Sequence, residues 1–589
     1  LGSVGFILWI IAVTRASNLA INAYGLVSVL GWPYFLGLIL VIAAFTVELL
    51  HTPLRPVHLT VLITIFVFFI YGTSSAVEPV ASLTTSFIHT GFIQYILVHG
   101  RPLENYDARF SWPGAFSLGA VLVAFTGLHS ALPFLRWFPL IIELLYMAPL
   151  IVIARCSGVE KRAAWLGVIM YYSANWIYQD YFSPQALNYL FYLVILAAVF
   201  ACWQPNRLED TPVRGFVRSA IAKVRSSFSR SRLEGNDAHT EWSSSRTLAV
   251  LVLISLIALA SAMSHQLTPY ALLLALGACL VTRRLGRPEY LVVVFLVAAG
   301  WLSLGASNYW IGHLSEVFGS VGKLSGTLGA NVAKRVIGSL SHRIIVDARI
   351  LEVIALYSLG VIGALRRRPD SRALEALAGA PFLLLAALSY GGEGLLRSVL
   401  FGLPFISLLA ASALLPNQEG PIRALVGWSP FRYADRKILG VTVAVVVLLI
   451  SLATVVVRGG NDAFEGYTDG EFAAVNYTYN HVTPGETVGV VADYLPFGYR
   501  DVGVINLFIS EGIESVPKRV RASAFVNHHV AWIILSQSQE SWGVNVANFH
   551  ANWESILEGS LLNKGYTIAK VWPTATVLHA PASIINQNT

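Results

Sequence analysis

Along the first three quarters of the chain, uninterrupted apolar runs alternate with short polar breaks. The runs lie at about 3–14, 32–50, 57–73, 112–127, 137–155, 162–175, 186–203, 247–264, 268–282, 289–308, 347–365, 378–390, 396–415 and 438–457. Many approach the roughly 20 residues that carry a helix across about 30 Å of hydrocarbon. Their continuity, without period-two alternation, predicts helices and argues against a transmembrane barrel. The pattern changes after Asn461, where TVGVVAD, AWIILS, TIAKVW and ATVLHA read as strands and NFHANWESILEGSLLNKG reads as a helix. The expected fold is a polytopic α-helical membrane body of about 13–14 helices over residues 1–457, then a small soluble α/β domain over 458–589.

Composition sharpens that division. Mean hydropathy is +0.63, and 55% of residues are hydrophobic against 12% charged, where a soluble chain carries about 25% charged residues. A single aqueous core cannot absorb that excess, so lipid is the expected solvent for most of the chain. Many of the 15 Trp and 24 Tyr sit near the ends of apolar runs, as interfacial anchors do. Cys156, Cys202 and Cys279 all lie in or beside apolar runs, which leaves no disulfide framework or zinc set. The chain starts at Leu1 inside an apolar run, which is therefore not read as a signal peptide.

Charge sets the expected orientation. Arg155, Lys161 and Arg162, then Arg283, Arg284 and Arg287, then Arg366 to Arg368, then Arg423 to Lys437 mark one side, cytoplasmic by the positive-inside rule. The loops at 176–185, 263–268, 309–346 and 390–397 and the C-terminal domain then face outward. Before Arg155 the count is off by one: with the loop at 74–111 outside, either the 112–127 or the 137–155 run hides a re-entrant pair, or the Arg155 cluster breaks the rule. The basic, serine-rich loop at 204–246 reads foremost as a solvated cytoplasmic linker, and second as a surface helix on anionic lipid. No aromatic platform accompanies its charge, so nucleic acid is not an expected partner. In the C-terminal domain acids outnumber bases, which predicts a module clear of anionic lipid.

The candidate chemistry gathers in the outward loops. Glu78 directly follows an apolar run, and Asp107 and Arg109 precede the next one. A partly buried carboxylate at that level suits a general base facing an acceptor hydroxyl; capping of the neighbouring helices is the equally weighted alternative. NWIYQDYFSPQALNY adds Asp180, Tyr181 and Gln185, SHQLTPY adds His265 and Gln266, and YGGEGLLRSVLFGLPF adds Glu393 and Arg397, which could pair at i,i+4. The 309–346 loop and its edge bring Lys323, Lys334, Arg335, Arg343 and Arg349, either to hold a phosphate or because long loops escape the charge rule.

Together AYGLVSVL, the Glu78-Pro79 loop, NYDARFSWPGAF, QDYFSPQALNYLFYL, SHQLTP, GGEGLLRSVLFGLPF, ILSQSQESW and LLNKGYTIAKVW resemble the GT-C superfamily of membrane glycosyltransferases, and more closely a group of large actinobacterial membrane proteins of that type. The resemblance spans nearly the whole chain. It implies a sugar donor linked to polyprenyl phosphate, a glycan, lipid or protein acceptor, a catalytic acid in the first large outward loop (Glu78 or Asp107), and an outward C-terminal domain. Two departures stand out: no Asp-Asp or Asp-Glu pair marks that loop, and an extra apolar pair precedes it.

The expected function is therefore inverting sugar transfer at the outer face, without a cofactor and with no metal indicated. Arg109, Asp180, Tyr181, Gln185, His265, Gln266, Arg343, Glu393 and Arg397 are the expected donor-binding residues. A lipid-linked glycan polymerase or ligase would use the same groups. A transporter or flippase is the rival from another class; its usual internal repeat is not found. A non-catalytic envelope scaffold is the last alternative.

Overall fold

The computed structural model describes residues 1–202, 244–309, 337–367, 372–387, 393–415, 436–510 and 520–585. Seven of its helices are long and apolar enough to cross a membrane, and the chain is a multi-pass membrane protein. The apolar runs become helices α1 (Gly2–Arg15), α2 (Trp32–Leu50) and α3 (Pro56–Val77), with α4 (Thr84–His99) and α5 (Gly114–Thr126) in the loop that follows. Next come α6 (Phe138–Cys156), α7 (Lys161–Ala174), α8 (Pro184–Cys202), α9 (Ser244–Ser264), α10 (Thr268–Val281) and α11 (Glu289–Gly300). The body closes with α12 (Leu340–Arg367), α13 (Arg372–Gly379), α14 (Gly394–Leu414) and α15 (Arg436–Arg458).

Two boundaries differ from the sequence reading. Helix α12 begins at Leu340, inside the loop expected to run to 346, because its first turns are polar and hydropathy alone misses them. The 378–390 run is no continuous span: after α13 it passes through a 3-10 turn at Ala380–Leu383 and a short turn at Leu384–Ala387. The loop expected at 204–246 and most of that at 309–346, with Lys323, Lys334 and Arg335, lie outside the described residues.

Small residues set the helix spacing, as they do where no hydrophobic effect drives helices together. At the α1–α2 crossing a Cβ on Gly5 would lie 2.8 Å from the Gly37 carbonyl oxygen, and one on Gly37 equally close to that of Gly5. Helix α12 meets α14 so closely that a Cβ on Gly363 would overlap the Leu409 carbonyl. Gly363→Val is therefore expected to cost at least about 1–3 kcal/mol through overpacking, read as a lowered melting temperature in detergent.

The crossing that the sequence could not place is resolved by α3 and α6. Arg136, just ahead of α6, donates through Nε to the Ser75 carbonyl at the end of α3 (2.7 Å). At the far end of α6, Ser157 accepts from Arg284, and Arg162 of α7 donates to the carbonyl of His51. Helix α6 thus makes one crossing, and the chain between α3 and α6 leaves and rejoins the same face. Helix α5 packs along α4 in one cluster that also holds Phe110 and Ala131 from the turns at its two ends, so it stays with the loop between α3 and α6. Neither a re-entrant pair nor an exception to the charge rule is needed.

Residues 487–579 contribute a five-stranded sheet, β1 (Thr487–Val490), β2 (Asn506–Ile509), β3 (Trp532–Ser536), β4 (Thr567–Trp572) and β5 (Ala575–His579), in the order β2-β1-β3-β5-β4. Strand β1 pairs in parallel with β2 and β3, while β5 runs antiparallel to β3 and β4. The sequence missed β2, a short edge strand that is largely exposed and carries no buried run. Helices cover both sheet faces, α16 (Asp469–His481) on one, and α17 (Ala522–Asn527), α18 (Gln537–Asn545) and α19 (Trp553–Leu562) on the other. The carboxyl ends of β1 and β3 face the helical body. Thr84 of α4 donates to the Asp493 carbonyl (2.9 Å) and accepts from the Leu495 amide (3.2 Å), which seats the domain on α4.

Candidate active site

The loop from Asn175 to Ser183, between α7 and α8, is the spine of the site. At one end Tyr178 holds φ +58°, a left-handed conformation costly for a bulky residue. Its ring covers Arg458 at 4.7 Å, with Tyr71 on the other side at 4.5 Å. Between them Arg458 donates to Asp180 (2.6 Å), and both side chains are buried. Removing one partner of such a pair strands the other charge. Asp180→Asn alone is expected to cost about 3–5 kcal/mol; a cycle with Arg458→Met, followed by thermal melting, checks that the losses are not additive.

Beside this pair lies Glu78, the C-cap residue of α3. The expectation that it caps a helix holds for its backbone, while its side chain is buried. Its Oε2 accepts from the Ser82 hydroxyl (2.5 Å), and its Oε1 lies against Gly466. Burial pushes the Glu78 carboxyl up to about 7, against the lowering effects of Ser82, Asp462 and Arg136. A crevice lined by Glu78, Asp462, Thr468, Glu471, Gln537 and Ser538 separates it from the carboxyl edge of the sheet, where open α/β sheets place their ligands.

Asp107 is arranged differently. It caps the turn Ala108–Ser111 by accepting from the Arg109 amide, and it takes a two-pronged bond from the Arg109 guanidinium (2.8 and 2.7 Å). Burial alone would raise its pKa, but the paired bonds from Arg109 outweigh that and hold it below the usual carboxylate range. Asp107 is thus a weak base that anchors a cation. Arg109 lies 5.0 Å above the Phe92 ring and faces His89, Tyr181 and Asp493. His89 donates from Nδ1 to the Phe182 carbonyl (3.0 Å) and stacks on Tyr181 at 6.1 Å. Burial, then Arg109, lowers its pKa to about 3, so the ring is neutral. Burial lifts Asp493 to about 6 despite Arg109.

The far end of the spine reaches the third group. Arg397 donates from Nη1 to Gln185 Oε1 (2.5 Å) and from Nη2 to Glu393 (2.7 Å), so the expected i,i+4 pair forms and a second partner joins it. His265 Nδ1 accepts from the backbone amides of Leu267 and Thr268, both at 3.2 Å. Burial, then Arg397 and His89, holds the ring neutral. Its Nδ1 also lies 3.0 Å from the Thr268 hydroxyl, and its Nε2 lies 3.3 Å from Arg397 Nη1. The buried Gln185 Nε2 meets no acceptor among the described residues. Gln185, Thr268 and Arg397 stand in the first turns of α8, α10 and α14, so three helix N-termini add positive potential at this point. A guanidinium, a buried amide donor and three helix N-termini gathered at one point suit an oxyanion, above all a phosphate.

The structure thus brings Glu78, Asp107, Arg109, Asp180, Tyr181, Gln185, His265, Glu393 and Arg397 together along one loop, with half-buried Gln266 at the α9–α10 turn beside His265. Arg343 is not gathered in; it is exposed on the first turn of α12. Sequence reasoning missed His89, Arg458, Asp462 and Asp493. Arg458 carried a signal, since a cation at the outward end of the last apolar run breaks the charge bias. Glu143, buried in α6 and bonded to Asn175 (2.8 Å), carried another as a carboxyl inside an apolar run.

No family model and no curated protein sequence matches the chain. Among solved structures it is similar to the arabinofuranosyltransferase AftD from Mycobacteria, at 13% identity over 89% of this chain, with a TM-score of 0.46. It spans 39% of AftD's length. It is also similar to ArnT from Cupriavidus metallidurans bound to undecaprenyl phosphate, at 12% identity over 89% of this chain and 98% of ArnT, with a TM-score of 0.46. A third likeness is to the Archaeoglobus fulgidus oligosaccharyltransferase tethered to an acceptor peptide, at 12% identity over 94% and 75% of the two chains and a TM-score of 0.43.

Proposed function

We propose that this protein is a membrane glycosyltransferase that moves a sugar from a polyprenyl-phosphate donor to a hydroxyl-bearing envelope acceptor. The observation that carries the reading is the meeting of the Arg397 guanidinium and the buried Gln185 amide with three helix N-termini, a setting that favours a phosphate at the boundary of the membrane body. Five residues separate Gln185 from Asp180, at most about 17 Å of chain, and Tyr178 and Asp180 adjoin Glu78 and Arg458. Base and leaving group therefore fit around one lipid-linked sugar.

In the proposed reaction Glu78 takes the acceptor's hydroxyl proton while the oxygen attacks the anomeric carbon. The bond from that carbon to the phosphate oxygen breaks with inversion, and the cradle holds the phosphate's charge. The alternation of basic loops puts this face outward, on the C-terminal domain's side. Purified protein given a lipid-linked sugar should release polyprenyl phosphate and glycosylated acceptor without a second compartment. Unchanged transfer by Glu78→Gln would overturn the assignment of the base.

A further inference from the structure

Between the last membrane helix and the C-terminal domain, Gly459–Asn461 and the turn Asp462–Glu465 carry a second buried carboxyl to the first. Glu78 and Asp462 are 2% and 3% exposed and are hydrogen-bond neighbours. Two buried carboxyls in contact cannot both be ionised, so the pair holds at least one proton.

The surroundings decide which carboxyl keeps it. Glu78 has a donor in Ser82 and a cation nearby in Arg136, with Glu465 opposing. Asp462 faces Glu78, Glu465 and Tyr178, and its one nearby cation, Arg458, is bonded to Asp180. Neither oxygen of Asp462 meets a donor among the described residues, and neither does Oε1 of Glu78. As two carboxylates the pair would leave three buried oxygens bare. As a protonated Asp462 bonded to a Glu78 carboxylate, the contact satisfies two of the three and leaves only the Asp462 carbonyl oxygen, which faces the crevice.

We propose that Asp462 stays protonated and donates a hydrogen bond to the Glu78 carboxylate, acting as a positioning residue that keeps the base ionised and ties it to the C-terminal domain. This rests on the glycosyltransferase reading for its consequence in catalysis. On transfer, the acceptor's proton passes to Glu78 while Asp462 keeps its own. The surplus proton then leaves along the crevice beside Thr468 and Ser538.

The test compares Asp462→Asn, whose amide still donates, with Asp462→Ala, which cannot. In the pH profile of sugar transfer, the asparagine variant should keep the wild-type acid limb. The alanine variant should move that limb up by about one pH unit, a roughly tenfold loss of rate on its acid side, because a charged acceptor loses one hydrogen bond. Equal profiles for both variants would overturn the proposal. A second readout needs no activity and no alanine variant: the infrared difference spectrum of wild type against Asp462→Asn at neutral pH. It should contain a carboxylic-acid carbonyl band; a carboxylate band in its place overturns the proposal. If wild type transfers no sugar from any lipid-linked donor, the glycosyltransferase reading fails, while the infrared band still decides the protonation of Asp462.

Discussion

Arg397→Ala is expected to weaken polyprenyl-phosphate binding by about 30-fold to several thousand-fold, the range for losing one partner of a buried charge-assisted contact. Two effects add. Among the described residues the guanidinium is the cradle's formal cation, since burial and Arg397 itself keep His265 neutral. It also fixes Gln185, whose Oε1 it holds at 2.5 Å, so its loss frees the amide donor beside the proposed phosphate. Global folding should survive, because Glu393, left behind, is 40% exposed and regains water. Arg397→Lys should fall between wild type and alanine, since an ammonium keeps the charge and loses the two-pronged fork to Gln185 and Glu393. Titration of the detergent-solubilised protein with undecaprenyl phosphate measures both variants; affinity unchanged in Arg397→Ala would move the phosphate elsewhere.

Glu78→Gln should lower the transfer rate by about a hundredfold to ten-thousandfold, as expected for a lost general base, with donor affinity unchanged. The wild-type rate should rise with pH and level off above about 7, where Glu78 ionises. The stability consequence has the opposite sign. The folded-state pKa lies above the 4.5 of an ordinary carboxyl, so between those values the folded protein binds more protons than the unfolded chain. Stability from this group is full below about 4.5 and is lost as pH climbs to about 7. At pH 8 the glutamine variant should therefore melt no lower than wild type, a stability cost that the base imposes on the native enzyme. Melting curves at pH 5 and pH 8 check the sign.

The helical body was legible because its signal is local. A span announces itself through a continuous apolar run, and each of the runs begins a helix or a helical turn near its expected place. The 112–127 run shows where that signal fails: α5 is as apolar as a span, yet its 13 residues end in a left-handed Gly127 and the chain turns back. Hydropathy records what a helix can touch and does not record where its ends go. The strands β1, β3, β4 and β5 were legible for the same local reason, and exposed β2 was not.

In the site, local chemistry identified groups and misjudged their states. Glu78 and Asp107 looked equivalent as carboxylates beside apolar runs. Folding separates them: burial against Asp462 raises one, and a guanidinium two residues away lowers the other. Asp493 and Asp462 reach the site from more than 350 residues beyond the first loop, a distance along the chain that no local pattern spans.

By itself the sequence determined the solvent of each part, the helical nature of the body and the set of polar loops that carry the candidate residues, because hydropathy, period and charge are sums over neighbouring residues. The tertiary structure alone decided which loop touches which, that α5 does not cross, that three helix N-termini meet at Arg397, and that the C-terminal domain lays a second carboxyl on Glu78. Those are long-range contacts, and the protonation and charge that define a site depend on what packs against each group.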